Sequence, residues 1–226
     1  MRIKFLGTGA ADWPSQKEEG VLEFRRLSSA LVDGTILIDP GPQVLDALDE
    51  FSIDPRSIRY ILITHKHSDH YNRITLEALL SLGAELMDLG FGEEAVFGKY
   101  TVSAYAGNHS TCDETKHYII SDGKSKLFYG LDSAWLLYDE VQAIIEKKID
   151  YAVLDATIGD IEGDYRIFEH NNLNMIREMK QTLAPYVKRF CISHMARTLH
   201  TSHNELNENM KESGIEVAFD GMEAEF

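Results

Sequence analysis

Thr64-His65-Lys66-His67-Ser68-Asp69-His70 is the stretch on which the reading of this chain turns. It places three imidazoles and one carboxylate between positions 65 and 70, directly after Arg59-Tyr60-Ile61-Leu62-Ile63. That apolar, β-branched run predicts a buried strand. The polar cluster therefore stands where a strand gives way to a loop, a frequent setting for chemistry. Neutral imidazole and carboxylate are donors that suit zinc, manganese and iron. One open catalytic ion needs about three protein donors, and this loop alone offers more. Two adjacent ions account for such a density. The plain alternative is a solvated loop rich in histidine, and the further donors downstream count against it.

The chain has 226 residues, of which 44% are hydrophobic and 26% charged, as in ordinary globular proteins. This length allows one large domain or two small ones, and the order of strands and helices set out below favours one domain over residues 1–226. The formal net charge is −15. Such a chain repels polyanions at long range, which argues against a general nucleic-acid binder. A small phosphate ester remains compatible, because bound divalent cations dominate the local field. No apolar run is long enough for a membrane span. Met1-Arg2-Ile3-Lys4-Phe5-Leu6-Gly7 reads as a first strand rather than a signal peptide. Cys112 and Cys191 give no disulfide framework, and both are expected to be reduced in a cytoplasm.

The patterning predicts strands at Ile3–Leu6, Ser29–Val32 and Thr35–Asp39. Pro42 is expected to open a helix with Val44, Leu45, Leu48 and Phe51 on one face. Leu76, Leu79 and Leu80 mark a second helix. Strands follow at Tyr100–Tyr105, Lys116–Ile120 and Lys126–Tyr129. A helix carrying Val141, Ile144 and Ile145 then precedes the strand Tyr151–Leu154. A helix carrying Leu173, Ile176, Met179 and Leu183 precedes the strand Arg189–Ser193. Ser202 and Glu205 form a capping box for a last helix. Two clusters of strands, each followed by helices, predict two packed sheets with helices outside. Several strands end on a polar residue: His109, Asp132, Asp155 and His194 besides the histidine loop. Strand ends on a shared edge would bring these side chains to one rigid site.

This pattern resembles the metallo-β-lactamase superfamily. The resemblance implies a four-layer αββα sandwich and a dinuclear site. It implies His65, His67 and His109 as ligands of one metal, and Asp69, His70 and His194 as ligands of the other. Asp132 would be the bridging carboxylate. Phe5-Leu6-Gly7-Thr8-Gly9 and Leu37-Ile38-Asp39-Pro40-Gly41 resemble the tRNA 3′-processing endonucleases and their relatives. Asn108-His109-Ser110, His170-Asn171-Asn172-Leu173, Ile192-Ser193-His194 and Phe219-Asp220-Gly221-Met222-Glu223 are similar to the cyclic phosphoribosyl phosphodiesterases of phosphonate degradation. In that branch a cysteine cluster near the N-terminus holds a structural zinc. Residues 11–29 of this chain contain no cysteine, so no structural zinc is expected.

His170 alone reads as a helix-entry residue. The resemblance implies a catalytic acid, a role that suits an imidazole titrating near neutrality. Asp69 counts with His170 among the expected catalytic groups. Asp155 and Asp39 are candidates to orient His170 or a ligand histidine from behind. His117 lies in a predicted strand and is expected to be structural, and His203 to be solvated. His200 and Arg197 follow a ligand and are candidates to line the pocket, Arg197 as a phosphate fork. Cys112, close to His109, is a further candidate there. The acidic runs Lys17-Glu18-Glu19 and Glu223–Glu225 are expected to be solvated.

The sequence thus predicts a cytoplasmic phosphodiesterase with two divalent ions, zinc or manganese, with iron(II) also suited to the donors. A metal-held hydroxide would attack a small phosphodiester, open or cyclic, while His170 protonates the leaving oxygen. The alternatives are a tRNA 3′-endonuclease and a non-catalytic metal-binding sensor or accessory protein. Neither nucleic acid nor membrane is an expected partner. The oligomeric state is not fixed, a homodimer being one of the states open to the chain.

Overall fold

The computed structural model describes residues 1–17, 19 and 23–226. Glu18 of the first acidic run lies outside the described residues. Strands β1 (Arg2–Gly7), β2 (Ser29–Val32) and β3 (Ile36–Ile38) form an antiparallel meander. Helix α1 (Val44–Glu50) crosses to β4 (Tyr60–Leu62), parallel to β3, and α2 (Arg73–Ser81) to the short β5 (Glu85–Leu86). A second antiparallel run follows: β6 (Glu94–Phe97), β7 (Tyr100–Ala106), β8 (Lys116–Ser121) and β9 (Lys126–Gly130). Three crossovers then add parallel strands. They are α3 (Tyr138–Lys147) to β10 (Ile149–Asp155), α4 (Leu173–Leu183) to β11 (Val187–Ser193), and α5 (His203–Lys211) to β12 (Ile215–Val217). Strand β13 (Glu223–Glu225) returns to pair with β1. The sheets run β13-β1-β2-β3-β4-β5 and β12-β11-β10-β9-β8-β7-β6.

Period-two alternation sorts the strand residues into layers. Ile3, Phe5, Val32, Ile36 and Ile38 of the first sheet meet Val102, Tyr118, Ile120, Tyr129 and Val153 of the second in one shared core. Their neighbours point the other way. Leu6, Leu31 and Leu37 meet Val44, Leu48, Leu76 and Leu79 of α1 and α2. Ile119, Phe128, Leu154 and Ile192 meet Ile144, Ile176, Met179, Leu183 and Leu206 of α3, α4 and α5. These three cores separate four layers, helix, sheet, sheet and helix, as the sequence predicted.

Several details differ from expectation. Helix α1 starts at Val44, and its buried stripe is Val44, Ala47 and Leu48. Leu45 sits about 100° around the helix from Val44 and is exposed. Leu80 is likewise exposed, whereas Leu79 is fully buried. The run Glu223–Glu225 is an edge strand rather than a merely solvated face. Glu223 lies opposite Lys4 and pairs with it at 2.9 Å, while Ala224 is buried. The Ser202–Glu205 capping box is present as expected. No described helix is long and apolar enough to cross a membrane.

Candidate metal centre

Strand direction gathers the donors. β9, β10 and β11 are mutually parallel, and β7 points the same way across two antiparallel pairings. Their C-terminal ends thus share one edge, where His109 follows β7, Asp132 follows β9, Asp155 closes β10 and His194 follows β11. Parallel β3 and β4 of the first sheet deliver Asp39 and the loop from Thr64 to His70. Asp39, Asp132 and His194 turn off their strands in the left-handed region, at φ 63°, 54° and 63°.

The side chains form two donor groups, His65–His67–His109 and Asp69–His70–Asp132–His194. Asp132 and His194 also meet Asp155 and His170 in a third cluster. His67 Nδ1 lies 3.2 Å from His109 Nε2, and His70 Nε2 lies 3.1 Å from His194 Nε2. Asp132 Oδ2 stands 2.8 Å from His70 Nε2 and 3.3 Å from His194 Nε2. Asp69 Oδ2 stands 3.4 Å and 3.5 Å from the same two nitrogens. Donors at ~2.0–2.1 Å from a tetrahedral ion are ~3.3 Å apart, and these spacings are close to that value. His65 Nε2 and Asp132 Oδ2 are buried and make no hydrogen bond with any described residue. Buried polar atoms are rarely left so, and a cation satisfies both. The residues fit a divalent ion of nitrogen and oxygen preference.

The outward nitrogens are held from behind. His70 Nδ1 lies 2.8 Å from Asp39 Oδ2, and Asp39 also accepts from Thr64 N and Thr64 Oγ1. His65 Nδ1 meets Thr64 Oγ1 at 3.1 Å. His109 Nδ1 faces Glu169, 3.1 Å from Oε2 and 3.2 Å from its carbonyl. His194 Nδ1 meets Thr157 Oγ1 at 2.7 Å. These contacts fix ring orientation and tautomer, leaving the other nitrogen for the centre. Asp155 and Asp39 hold the positions expected of them.

The electrostatics describe a site waiting for positive charge. Burial opposes charge on His194, but Asp132 and Asp155 outweigh it and lift its pKa to about 10. His70 is likewise raised against burial by Asp132, Asp69 and Asp39. Asp132 is held well below the carboxylate range despite burial, by His194, His70 and His65. His65 behaves oppositely: burial and the neighbouring His70 push it down to about 2. Without a metal, protons on His70 and His194 balance the aspartates, and a metal ion would take their place.

His170 adjoins this centre. Its Nδ1 lies 2.9 Å from Asp155 Oδ2 and 3.0 Å from Thr157 Oγ1, leaving Nε2 to the cleft. Burial opposes its charge, but Asp155 prevails and raises its pKa. The remaining histidines are placed elsewhere. His117 is buried between Glu140 and the Leu131 carbonyl, a structural role as expected. His203 is half-buried rather than solvated, 3.1 Å from Arg25 Nη2 and edge-on to Phe219. His200 Nε2 bonds the Ala156 carbonyl in a neighbouring hollow with Arg197. Neither His200 nor Arg197 lines the cleft over the donors. Cys112 lines a separate hollow beside Lys66 and Lys116.

Four residues of the site escaped the sequence reading. Thr157 and Glu169 hold histidines from behind. Asp12 accepts from Arg197 N, Thr198 N and Thr198 Oγ1 at 2.7–2.9 Å and lines the cleft. Arg166 lines it too. The only available signals were that Glu169 adjoins His170 and that Thr157 follows Asp155 by two.

Comparison with known proteins agrees with this geometry. A metallo-β-lactamase superfamily model matches residues 27–74, a span that contains the whole histidine loop. The fold is that of the metallo-β-lactamase superfamily. An uncharacterised protein of Methanocaldococcus jannaschii is 28% identical over 73% of this chain and 59% of its own length. Ribonuclease Z of Streptococcus pyogenes is 36% identical over 31% of this chain and 22% of its own length. The chain therefore matches about three-fifths of the first relative and about a fifth of the second. A crystal structure of a diphosphatase from the PhnP family superposes with a TM-score of 0.76 and 18% identity, covering 100% of this chain and 97% of that one. The superfamily match lies on the histidine loop, and the solved structure shares the fold over the full chain.

Proposed function

We propose that the chain hydrolyses a small phosphodiester at a centre of two divalent metal ions. His65, His67 and His109 would hold one ion, Asp69, His70 and His194 the other, and Asp132 both. The ions would supply Lewis acidity and a water acidic enough to attack at neutral pH. The chain's own residues do the rest. Water oxygen bonds to phosphorus as the P–O bond to the leaving group breaks. His170 Nε2 gives its proton to the departing oxygen, which is too basic to leave as an alkoxide. Asp155 keeps His170 oriented and its raised pKa keeps that proton in place before attack. Thr157 links His170, Asp155 and His194 through one hydroxyl, so the acid is fixed relative to a ligand.

The observation that carries this reading is the position of His170. An imidazole braced through Nδ1 by the buried Asp155, beside the donor clusters and with its other nitrogen free, is suited to protonate a leaving group. The likeness to a PhnP-family diphosphatase favours a phosphoric ester. The likeness to ribonuclease Z favours the tRNA 3′-endonuclease as the competing reading. The net charge of −15 weighs against it. A panel of bis-p-nitrophenyl phosphate, cyclic nucleotides and pre-tRNA, run with elemental analysis, decides between them. The expected result is up to two transition-metal equivalents per chain and turnover of the small diesters. Efficient cleavage of pre-tRNA at physiological salt, with no turnover of small diesters, would reverse the choice.

A further inference from the structure

The strand ends that carry His109 and Asp132 flank a third strand. β8 runs between β7 and β9, and its second residue, His117, lies opposite Tyr105 of β7. Antiparallel register places it beside Gly130 of β9, one step past the Tyr118–Tyr129 pair. The ring is fully buried and stands edge-on to Phe128. Glycine flanks it on both sides for a steric reason. A Cβ on Gly107 would lie 2.7 Å from His117 Nε2, and one on Gly130 would lie 3.1 Å from Nδ1. The imidazole thus fills the space between the ends of two strands that each lead to a metal donor.

Both ring nitrogens face oxygen. Nε2 lies 3.0 Å from the Leu131 carbonyl, and Nδ1 meets Glu140 Oε1. The Leu131 carbonyl belongs to the peptide plane that leads into Asp132. Glu140 is also fully buried, and its Oε2 accepts from Leu137 N at 2.7 Å, at the start of α3. An imidazole facing two acceptors donates at both nitrogens and is charged. Burial opposes that charge, but Glu140 prevails and raises the His117 pKa. A buried ion pair returns little net stability, because desolvation offsets the attraction. Stability alone therefore does not account for the pair. The two donor loops beside it are joined directly. Asn108 N donates to Ser133 Oγ at 2.8 Å, and Ala134 N donates to the Asn108 carbonyl at 3.1 Å.

We infer that His117, anchored on Glu140, is a positioning residue: it sets the spacing of His109 and Asp132, and with it the affinity of the first donor group for its ion. This rests on the two-ion reading. The first group draws on both strand ends, since it contains His109 and would share Asp132. The second group takes only Asp132 from them. Displacing the imidazole should therefore weaken the first ion more than the second.

The test is a calorimetric titration of chelated protein with zinc, read beside the Tm of the chelated protein. The wild type should take up zinc in two steps. His67→Ala removes a donor of the first group and Asp69→Ala one of the second, which assigns the steps. His117→Asn puts an amide nitrogen near the place of Nδ1, keeping the Glu140 contact and losing the Leu131 one. His117→Gln puts it near the place of Nε2 and does the reverse. His117→Asn should weaken the first step by about 10- to 100-fold, the loss usual for groups behind a ligand, and the second step far less. His117→Gln should recover most of that loss. A histidine without a positioning role would lower Tm in both variants and move both steps alike. Equal losses at the two steps, or no difference between the variants, overturns the inference. If His117→Asn does not fold, Gly107→Ala presses on Nε2 from the other side and should give the same selective loss. An unchanged first step there overturns the inference as well. A single step in the wild type removes the two-ion reading alone. The positioning role then stands if that one affinity drops in His117→Asn and returns in His117→Gln, and falls if it does not.

Discussion

At the scale of single residues, the centre is assembled from side chains held in demanding conformations. Asp39, Asp132 and His194 all adopt positive φ. Aspartate and histidine both occupy this region more often than most other non-glycine residues. Each such residue costs of order 1–3 kcal/mol, a cost the packed strands beneath must outweigh. The donors themselves were legible because they are dense and chemically distinctive. Arg166 and Asp12 were not, because an arginine or aspartate in a loop looks like any solvated one until the chain folds over it. His170 invites a direct test. His170→Ala should keep the bound metal and lower kcat by on the order of 10²–10⁴-fold for an alkoxide leaving group. The loss should be much smaller for p-nitrophenolate, which departs without a proton. A leaving-group series on both proteins checks this, and parallel slopes would return His170 to a purely structural role.

At the scale of elements, the readable pieces were those with strong periodicity. The central strands alternate between two apolar faces, and α4 carries Leu173, Ile176, Met179 and Leu183 on one stripe. Strands β5, β6, β12 and β13 were missed because they are short edge strands, without the buried apolar runs that marked the equally short β2, β3 and β4. Pairing rather than composition makes them strands: β13 exists because β1 offers it an edge. The turn after β3 shows the same dependence on partners. A Cβ built on Gly41 would lie 2.8 Å from the Asp69 carbonyl oxygen, so the histidine loop passes against bare backbone there. Gly41→Ala must push the loop outward, displacing Asp69 and His70 together. The expected result is a loss of ~1–3 kcal/mol in stability, typical of overpacking. Metal bound by the second donor group should weaken more than metal bound by the first. Thermal melts and a metal titration of the variant check both statements, and wild-type values for each would show that the loop yields at no cost.

At the scale of the whole molecule, acid–base balance and metal loading are one property. In chelated protein, His194 holds a pKa of about 10 against an ordinary value of 6.5. A raised folded pKa contributes stability that is complete below about pH 6.5 and is lost as the pH climbs toward 10. Metal-loaded protein has an ion where those protons were and does not share that loss. The gap in Tm between loaded and chelated protein should therefore widen from pH 6.5 to pH 10. A gap that stays constant or narrows would remove His194 from the metal's reach. The geometry carries a last consequence. His65 and His67 come from the first sheet and His109 from the second, while Asp69 and His70 face Asp132 and His194 across the same seam. Each ion would therefore be riveted to both leaves of the sandwich, much as a hinge pin joins two plates. Chelation would then loosen the seam at this edge, while the apolar core shared by the two sheets still holds them together. Amide exchange should quicken along β4 and β9 together, and the two strands should regain protection at the same metal concentration.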